Sequence, residues 1–390
     1  MALAAKQAAV AAYEYGVLTP RSGSSYREQF NDVMAQLRRQ FPLERLLRLT
    51  VFFRDAAEQE ELERLFREEL GVLPLIGYVS QPPADGSLLI LEVTVANEGR
   101  LERVNEHLTI ERHHDITWVH SHSDSLAGGH RPADAFGDTK RVLEHNLELL
   151  KAGGARLAQV FRTWFYMGSI VADDQQHPEL MQRYKELNRA RTVVFGDTKF
   201  LTEHLYRDPG HDIYPASTGI GMGGLAVALS CTALITERRD VFTLPLENPR
   251  QTAAFEYGRH YSPETPKFAR AMAVIHDQQA AVYVSGTASI TASETVHPGD
   301  VAKQTEETLL NIATLIAPEN FARAGFPGYG AQLHQLAAVR AYIKHRQDYE
   351  TVRRVCERQL AGVPVAYTIG DVCRDDLLVE LEAVAHIDKI

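Results

Sequence analysis

The sequence predicts an α+β protein built from repeated β-β-α-β-α-β-β units, each a mixed sheet with its helices on one face. Three observations carry this. Residues 51 to 95, "VFFRDAAEQEELERLFREELGVLPLIGYVSQPPADGSLLILEVTV", align without a gap, at a constant offset of 290, with residues 341 to 385, "AYIKHRQDYETVRRVCERQLAGVPVAYTIGDVCRDDLLVELEAVA". Glu60 meets Glu350, Arg64 meets Arg354, Pro74 meets Pro364 and Glu92 meets Glu382. Within both stretches apolar residues fall first at helical spacing (Leu62, Leu65, Phe66; Val352, Val355, Cys356) and then, in the last strand, with period two. A further copy lies between them.

Taken in order, the first unit occupies residues 1–104 and reads as partial, because it lacks a clear opening hairpin. The middle unit, 105–235, opens with "LTIERHHDITWVHSHSD", which parallels "MAVIHDQQAAVYVSGTA" of the third unit as two strands joined by a turn. Two helices follow, "FGDTKRVLEHNLELLKAG" and "PGDVAKQTEETLLNIATL", with Asp138 and Asp300 expected as N-caps. "QVFRTWFYM" then matches "AAVRAYIKH", aligning Arg162 with Arg340, and "YPASTGIGMGGLAVALSCTA" matches "VPVAYTIGDVCRDDLLVELEAVA". Residues 236–271, rich in Pro, Arg and aromatic residues, form a linking segment expected to line a site. The third unit, 272–390, is the one expected to carry chemistry.

Composition narrows the function. The chain has 390 residues, 45% of them hydrophobic, a formal charge of -10 and a pI near 5.9. Such a balance argues against a nucleic-acid or anionic-membrane partner. No apolar run approaches the roughly 20 residues of a membrane span, and no signal peptide is read at the start. The three cysteines are too few and scattered for a disulfide framework or a zinc site. A cytoplasmic protein acting on a small molecule is the expectation.

The repeat supplies an internal control on function. In "DLLVELEAVA" the strand face carrying Glu380 also carries Glu382. Glu382 is matched by Glu92 and reads as structural. Glu380 is matched by Ile90 in the first unit and Ala228 in the second, so the strand does not need it. The plain alternative is a solvated face bearing two carboxylates. A carboxyl in a partly apolar cleft, by contrast, has a raised pKa and can donate a proton near neutrality.

Several longer stretches point further. "RTWFYMGSI", "ASTGIG", "LENP", "YSPETPKFARA" and "DVCRDDLLVELE", set within a YjgF/Rid-like unit pattern, resemble the chorismatase family from about residue 110 to the end, and the first hundred residues match more loosely. The resemblance implies cleavage of the enolpyruvyl ether of chorismate to release pyruvate, with Glu380 on the family's catalytic acid and no metal, nucleotide or redox cofactor. It also implies the product. The diol-forming branch has Ala at the positions of Gly286 and Cys373; the branch making 3-hydroxybenzoate, in some members with 4-hydroxybenzoate, has Gly and Cys, as here. Arg162, Tyr166, Arg191, Tyr261 and Arg270 fall on family motifs and are the expected substrate holders, Arg supplying bidentate grip on carboxylates. Rid-like units commonly form trimers, so a chain of three units is expected as a monomer or a homotrimer.

Other readings are weaker. His113, His114, His120, His122 and Asp124 suggest a metal, but the matching hairpin "VYVSGT" has no His, and no metal site is expected. "GIGMGG" sits between strands rather than opening a helix, so it is not a dinucleotide fingerprint. An imine or enamine hydrolase of the Rid type would carry Arg just after the Pro before the penultimate strand, whereas Pro364 is followed by Val365, Ala366 and Tyr367. A non-catalytic binding protein on the same fold would have no use for Glu380.

Overall fold

The structure, a computed structural model, describes residues 13–126, 134–173, 181–258 and 264–389. The first unit runs β1 (Tyr13–Leu18), α1 (Tyr26–Gln40), β2 (Leu46–Phe53), α2 (Gln59–Leu70), β3 (Leu75–Val79) and β4 (Leu89–Ala96). The second runs β5 (Arg100–Asn105), β6 (Leu108–His113), β7 (Ile116–Asp124), α3 (Ala135–Ala152), β8 (Val160–Gly168), α4 (Arg183–Phe195), β9 (Ala216–Met222) and β10 (Val227–Thr236). The third runs β11 (Val241–Leu246), β12 (Ala271–His276), β13 (Gln279–Ala288), the short pair β14 (Ile290–Thr291) and β15 (Glu294–Thr295), α5 (Val301–Ile316), α6 (Pro318–Arg323), β16 (Leu336–Ile343), α7 (Tyr349–Leu360), β17 (Val365–Ile369) and β18 (Val379–Asp388).

The sheet orders repeat: β1-β4-β2-β3, then β5-β6-β7-β10-β8-β9, then β11-β12-β13-β18-β16-β17. In each, the strand pair joined through a helix is parallel (β2 and β3, β8 and β9, β16 and β17), as a crossover connection requires. The first unit thus opens on one strand where the others open on three, and residues 241–246 add an edge strand to the third sheet.

Alternation sets which face is which. Leu49, Val51 and Phe53 pack under Phe30, Val33 and Leu37 of α1 and Leu62, Leu65 and Phe66 of α2. In the third unit Val339, Ala341, Ile343, Val379, Leu381 and Ala383 meet Leu309 and Ile312 of α5 and Val352, Val355 and Cys356 of α7. Each such buried aliphatic side chain contributes on the order of 1.5–3 kcal/mol. The opposite faces turn inward and meet one another: Phe52, Ile90, Trp164, Tyr166, Ala228 and Tyr342, drawn from all three sheets, form one buried cluster.

The cross-strand register corrects one alignment. Each sheet carries the same irregularity at the start of its third-from-last strand, between Leu46 and Arg48, between Val160 and Arg162, and between Leu336 and Ala338. Each lies just after a three-residue 3-10 turn, Leu43–Arg45, Leu157–Gln159 and Leu333–Gln335. Arg162 is therefore the counterpart of Arg48 and Ala338, and Trp164 is the counterpart of Arg340; the expected match of Arg162 with Arg340 is off by two residues. The counterparts of Glu380 stand as read, because Tyr342 faces Glu380, Phe52 faces Ile90 and Tyr166 faces Ala228. One cap also differs. Asp300 accepts from Lys303 N–H as expected, but α3 is capped by Asp134, which accepts from Gly137 N–H, while Asp138 lies inside the helix and pairs with Arg141.

Candidate active site

Between the second and third sheets lies a cleft of about 260 Å³. β18 supplies Glu380, β13 supplies Gly286, β9 supplies Ser217 and Gly219, and α4 supplies Tyr184 and Arg191. The turn before β18 adds Cys373 and Arg374, and the linking segment adds Tyr257, Phe268 and Arg270. On α4, Tyr184 and Arg191 are seven residues apart, two turns on one face.

β13 bulges where it passes Glu382: Val284 faces Ala383 and Thr287 faces Leu381, so Ser285 and Gly286 together oppose one residue. The freed groups tie the cleft walls together. Gly286 N–H donates to Thr218 Oγ1 (3.1 Å), Ser217 N–H donates to Ser285 Oγ (2.8 Å), and Ser285 Oγ donates to the Ala269 carbonyl (2.6 Å). A Cβ on Gly286 would stand 2.1 Å from Oε1 of Glu380 and 3.2 Å from Cγ2 of Thr218. The carboxyl of Glu380 is seated against bare backbone, which only glycine permits.

Glu380 is 5% exposed. Burial, reinforced by the charge of Glu382, pushes its pKa up to about 8, against the opposing pull of Arg270 and Arg162. Glu382 goes the other way. Burial opposes its ionisation, but Arg162 and Arg340, with a hydrogen bond from Thr218, hold it below the usual carboxylate range. Glu382 accepts from Arg162 Nη2 (2.6 Å), Arg340 Nη1 (2.8 Å) and Trp164 Nε1 (3.1 Å), and from Thr218. Near neutral pH one carboxyl is thus kept as an acid and its neighbour as an anion.

Arg191 and Arg270 are 2% and 3% exposed, and neither pairs with a carboxylate among the described residues. Arg191 donates to Asn188 Oδ1 (2.6 Å), and Arg270 donates to Tyr257 Oη (2.6 Å) and the Thr252 carbonyl (2.8 Å). The Nε of each is buried without a partner. Burial lowers the pKa of Arg191 to about 10, still protonated at neutral pH. Two buried cations with no carboxylate at ion-pair distance among the described residues, lining one cleft, suit a ligand that carries two negative groups. Glu247, whose carboxyl feels the charge of Arg270, accepts from the Arg270 backbone N–H (3.2 Å).

The sequence expectations divide. Glu380, Cys373, Gly286, Arg191 and Arg270 come together in the cleft. Arg162 and Tyr166 do not line it: Arg162, 1% exposed, is taken by Glu382 and Thr218, and Tyr166 accepts from Arg340 (2.7 Å) in the cluster between the sheets. Tyr261 lies outside the described residues. Cys373 is half-buried, and burial, then the charge of Glu380, pushes its pKa up to about 12, so near neutral pH it presents a thiol to the cleft. Tyr184, Tyr257 and Ser217 are not among the residues singled out from the sequence, although Ser217 lies in the quoted "ASTGIG", Tyr257 in the linking segment expected to line a site, and Tyr184 at helical spacing from Arg191.

The histidines of residues 113–122 are not one group. His122 Nδ1 sits 2.9 Å from Ser230 Oγ and His120 lies 3.5 Å from Glu111, while His113 and His114 stand at a hairpin tip with Glu98. Glu98, His113 and His114, and likewise Asp240, His276 and Asp277 at the equivalent hairpin, present ligand atoms within 4.8 Å of one another. None of the six lines the Glu380 cleft.

No protein-family model matches the chain. Over 278 residues it is 35% identical to a 3-hydroxybenzoate synthase of Streptomyces hygroscopicus, covering 69% of this chain and 76% of that protein. The chain belongs to the chorismatase family. A chorismatase of Streptomyces rapamycinicus is 39% identical over 175 residues, 44% of this chain and 50% of that protein. A second chorismatase from Streptomyces hygroscopicus is 33% identical over 224 residues, 57% of this chain and 60% of that one. The family fold extends through the first unit: a crystal structure of a chorismatase superposes with a TM-score of 0.70, covering 97% of this chain and all of that one at 22% identity.

Proposed function

We propose that this chain converts chorismate to 3-hydroxybenzoate and pyruvate, with Glu380 as the proton donor. The observation that carries this is a neutral carboxyl facing a cleft with two guanidiniums that form no ion pair among the described residues. Chorismate has two carboxylates, which Arg191 and Arg270 are placed to hold. An enol ether resists hydrolysis until its methylene carbon is protonated. Glu380 gives that proton, the ether carbon becomes an oxocarbenium ion, and the carboxylate left behind stabilises it. The ring–oxygen bond then breaks or rearranges, and pyruvate departs.

The wall opposite the acid bears on the product. Gly286 sets how closely the carboxyl of Glu380 is held, and the Cys373 thiol adds bulk beside it. Together they favour capture of the cation by the ring's own hydroxyl and aromatisation, where capture by water would leave a dihydrodiol. In net terms chorismate divides into 3-hydroxybenzoate and pyruvate with no other atom gained. Because two of the repeated units, joined in one chain, meet at the cleft, we propose a monomer as the working unit. Among the described residues no helix is long and apolar enough to cross a membrane.

Incubating the purified protein with chorismate, and resolving products by chromatography and mass, tests the reading. Equal amounts of pyruvate and 3-hydroxybenzoate are expected. Dihydrodiol as the main product would overturn the roles given to Gly286 and Cys373, and absence of turnover would overturn the function.

A further inference from the structure

A second cavity, of about 60 Å³, lies where the inner faces of the three sheets converge. Its wall includes three equivalent strand positions, Arg48, Arg162 and Ala338, and their cross-strand partners Thr94, Thr232 and Val384. The repeat therefore surrounds an axis with arginine at two of three places and a small residue at the third, which leaves the space open.

The charges on this wall do not cancel. Arg340 is met by Glu92, which accepts from its Nε (2.7 Å), and by Glu382. Arg162 shares Glu382 but leaves Nε and Nη1 buried without hydrogen-bond partners among the described residues. Arg48 meets no carboxylate within ion-pair distance among the described residues; it donates to Thr232 Oγ1 at 3.3 Å, and its Nε is buried and unpartnered. Three guanidiniums stand against two carboxylates, Glu92 and Glu382, an excess of one positive charge on the wall. Glu111 is a third carboxylate, set behind the wall: it accepts from Tyr13 Oη (2.7 Å), lies 3.5 Å from His120 Nε2 and forms no ion pair with an arginine among the described residues, while burial lowers the pKa of His120. Trp164 lies under both arginines, 4.7 Å from Arg48 and 4.5 Å from Arg162, an attraction smaller than the cost of an unpaired buried ion.

We propose that this cavity is a binding site for one small monovalent anion of halide size, held between the Arg48 and Arg162 guanidiniums. The space exceeds the roughly 10–15 Å³ that one water requires, and Arg48 and Arg162 both line it. An organic anion as large as gluconate does not fit. The site is separate from the Glu380 cleft, and the proposal stands whether or not chorismate is the substrate.

The test compares thermal unfolding of the full chain in sodium chloride and in sodium gluconate at equal ionic strength, together with anomalous diffraction from crystals grown in bromide. Expected are a Tm several degrees higher in chloride, rising with its concentration, and one bromide peak in the cavity. In Arg48→Met, which keeps the volume and removes the excess charge, the two salts should give equal Tm values and the peak should vanish. Equal Tm values in the unsubstituted protein, a cavity holding water only, or a bromide peak that survives Arg48→Met would each overturn the proposal. Arg48 lines no part of the Glu380 cleft, so turnover of Arg48→Met reports that the fold is intact.

Discussion

Glu380 and Glu382 stand two residues apart on one face of β18 and titrate in opposite directions. The difference lies in their neighbours. Four donors converge on Glu382, whereas burial dominates Glu380. A carboxyl whose pKa rises from the ordinary 4.5 to about 8 on folding binds its proton more tightly in the folded chain. Its contribution to stability is full below pH 4.5 and is lost as the pH climbs to about 8, at about 1.4 kcal/mol per pH unit within that window. Glu380→Gln should remove that slope. Urea unfolding of both proteins from pH 5 to 9 checks it: their stabilities should diverge as the pH rises, with Gln the more stable.

The same protonation sets activity. With Glu380 required as an acid, kcat/KM should fall above about pH 8, tenfold per unit. Glu380→Gln should lose about 10²- to 10⁴-fold in kcat with little change in KM. Stopped-time assays of pyruvate release across the pH range measure both.

Gly286→Ala inserts a methyl group 2.1 Å from Oε1 of Glu380, so the carboxyl must swing away. The side chain is flexible but its surroundings are packed, and about 1–3 kcal/mol of strain is the ordinary result of overfilling such a site. The expected outcome is a drop in kcat of about 10- to 100-fold and a shift of product from 3-hydroxybenzoate toward the dihydrodiol, larger in combination with Cys373→Ala. Product ratios from quenched reactions decide it.

How much of this was legible beforehand follows from what a repeat can and cannot encode. Glu380 stood out because Ile90 and Ala228 fill its place in strands of the same shape, and that comparison survives in the observed register. The match of Arg162 with Arg340 slips for a related reason. Alternation in a strand fixes the face but not the distance along it, so sliding the alignment by two residues keeps every side chain on its own side. Arg162 points inward against Glu382, as Arg340 does, and not into the cleft, where the resemblance to the family's motif and not the repeat had led it to be expected. Tyr257 lies in a segment without periodicity and gave no sign of its contact with Arg270.

Arg191 and Arg270 should show a trade between binding and stability. Each is a buried cation with no carboxylate at ion-pair distance among the described residues, which costs folding energy in the empty protein and is offset by the substrate. Arg191→Met should raise KM by about 10- to 100-fold, the loss of a charge-assisted contact of about 1.5–3 kcal/mol, while leaving Tm unchanged or higher. Arg270→Met should raise KM similarly, but Tm should fall, because Arg270 also holds Tyr257 and the Thr252 carbonyl. Steady-state kinetics and calorimetry on the two variants separate these outcomes.

Arg340 is the opposite case, a buried cation whose partners come from all three units: Glu92 and Thr50 from the first, Tyr166 from the second and Glu382 from the third. Arg340→Met leaves Glu92 buried without its bidentate partner and strips one donor from Glu382. Removing one side of such a buried pair costs about 3–5 kcal/mol. Weakening Glu382's hold should also reach the cleft through Thr218, which donates to Glu382 and accepts from Gly286 N–H. The double variant Arg340→Met with Glu92→Gln should recover part of the lost stability, since the stranded charge is then gone, but not the lost activity, since Glu382 remains short of a donor. Urea midpoints and kcat measured on the single and double variants check this, and a recovery of both together would show that Arg340 serves the fold alone.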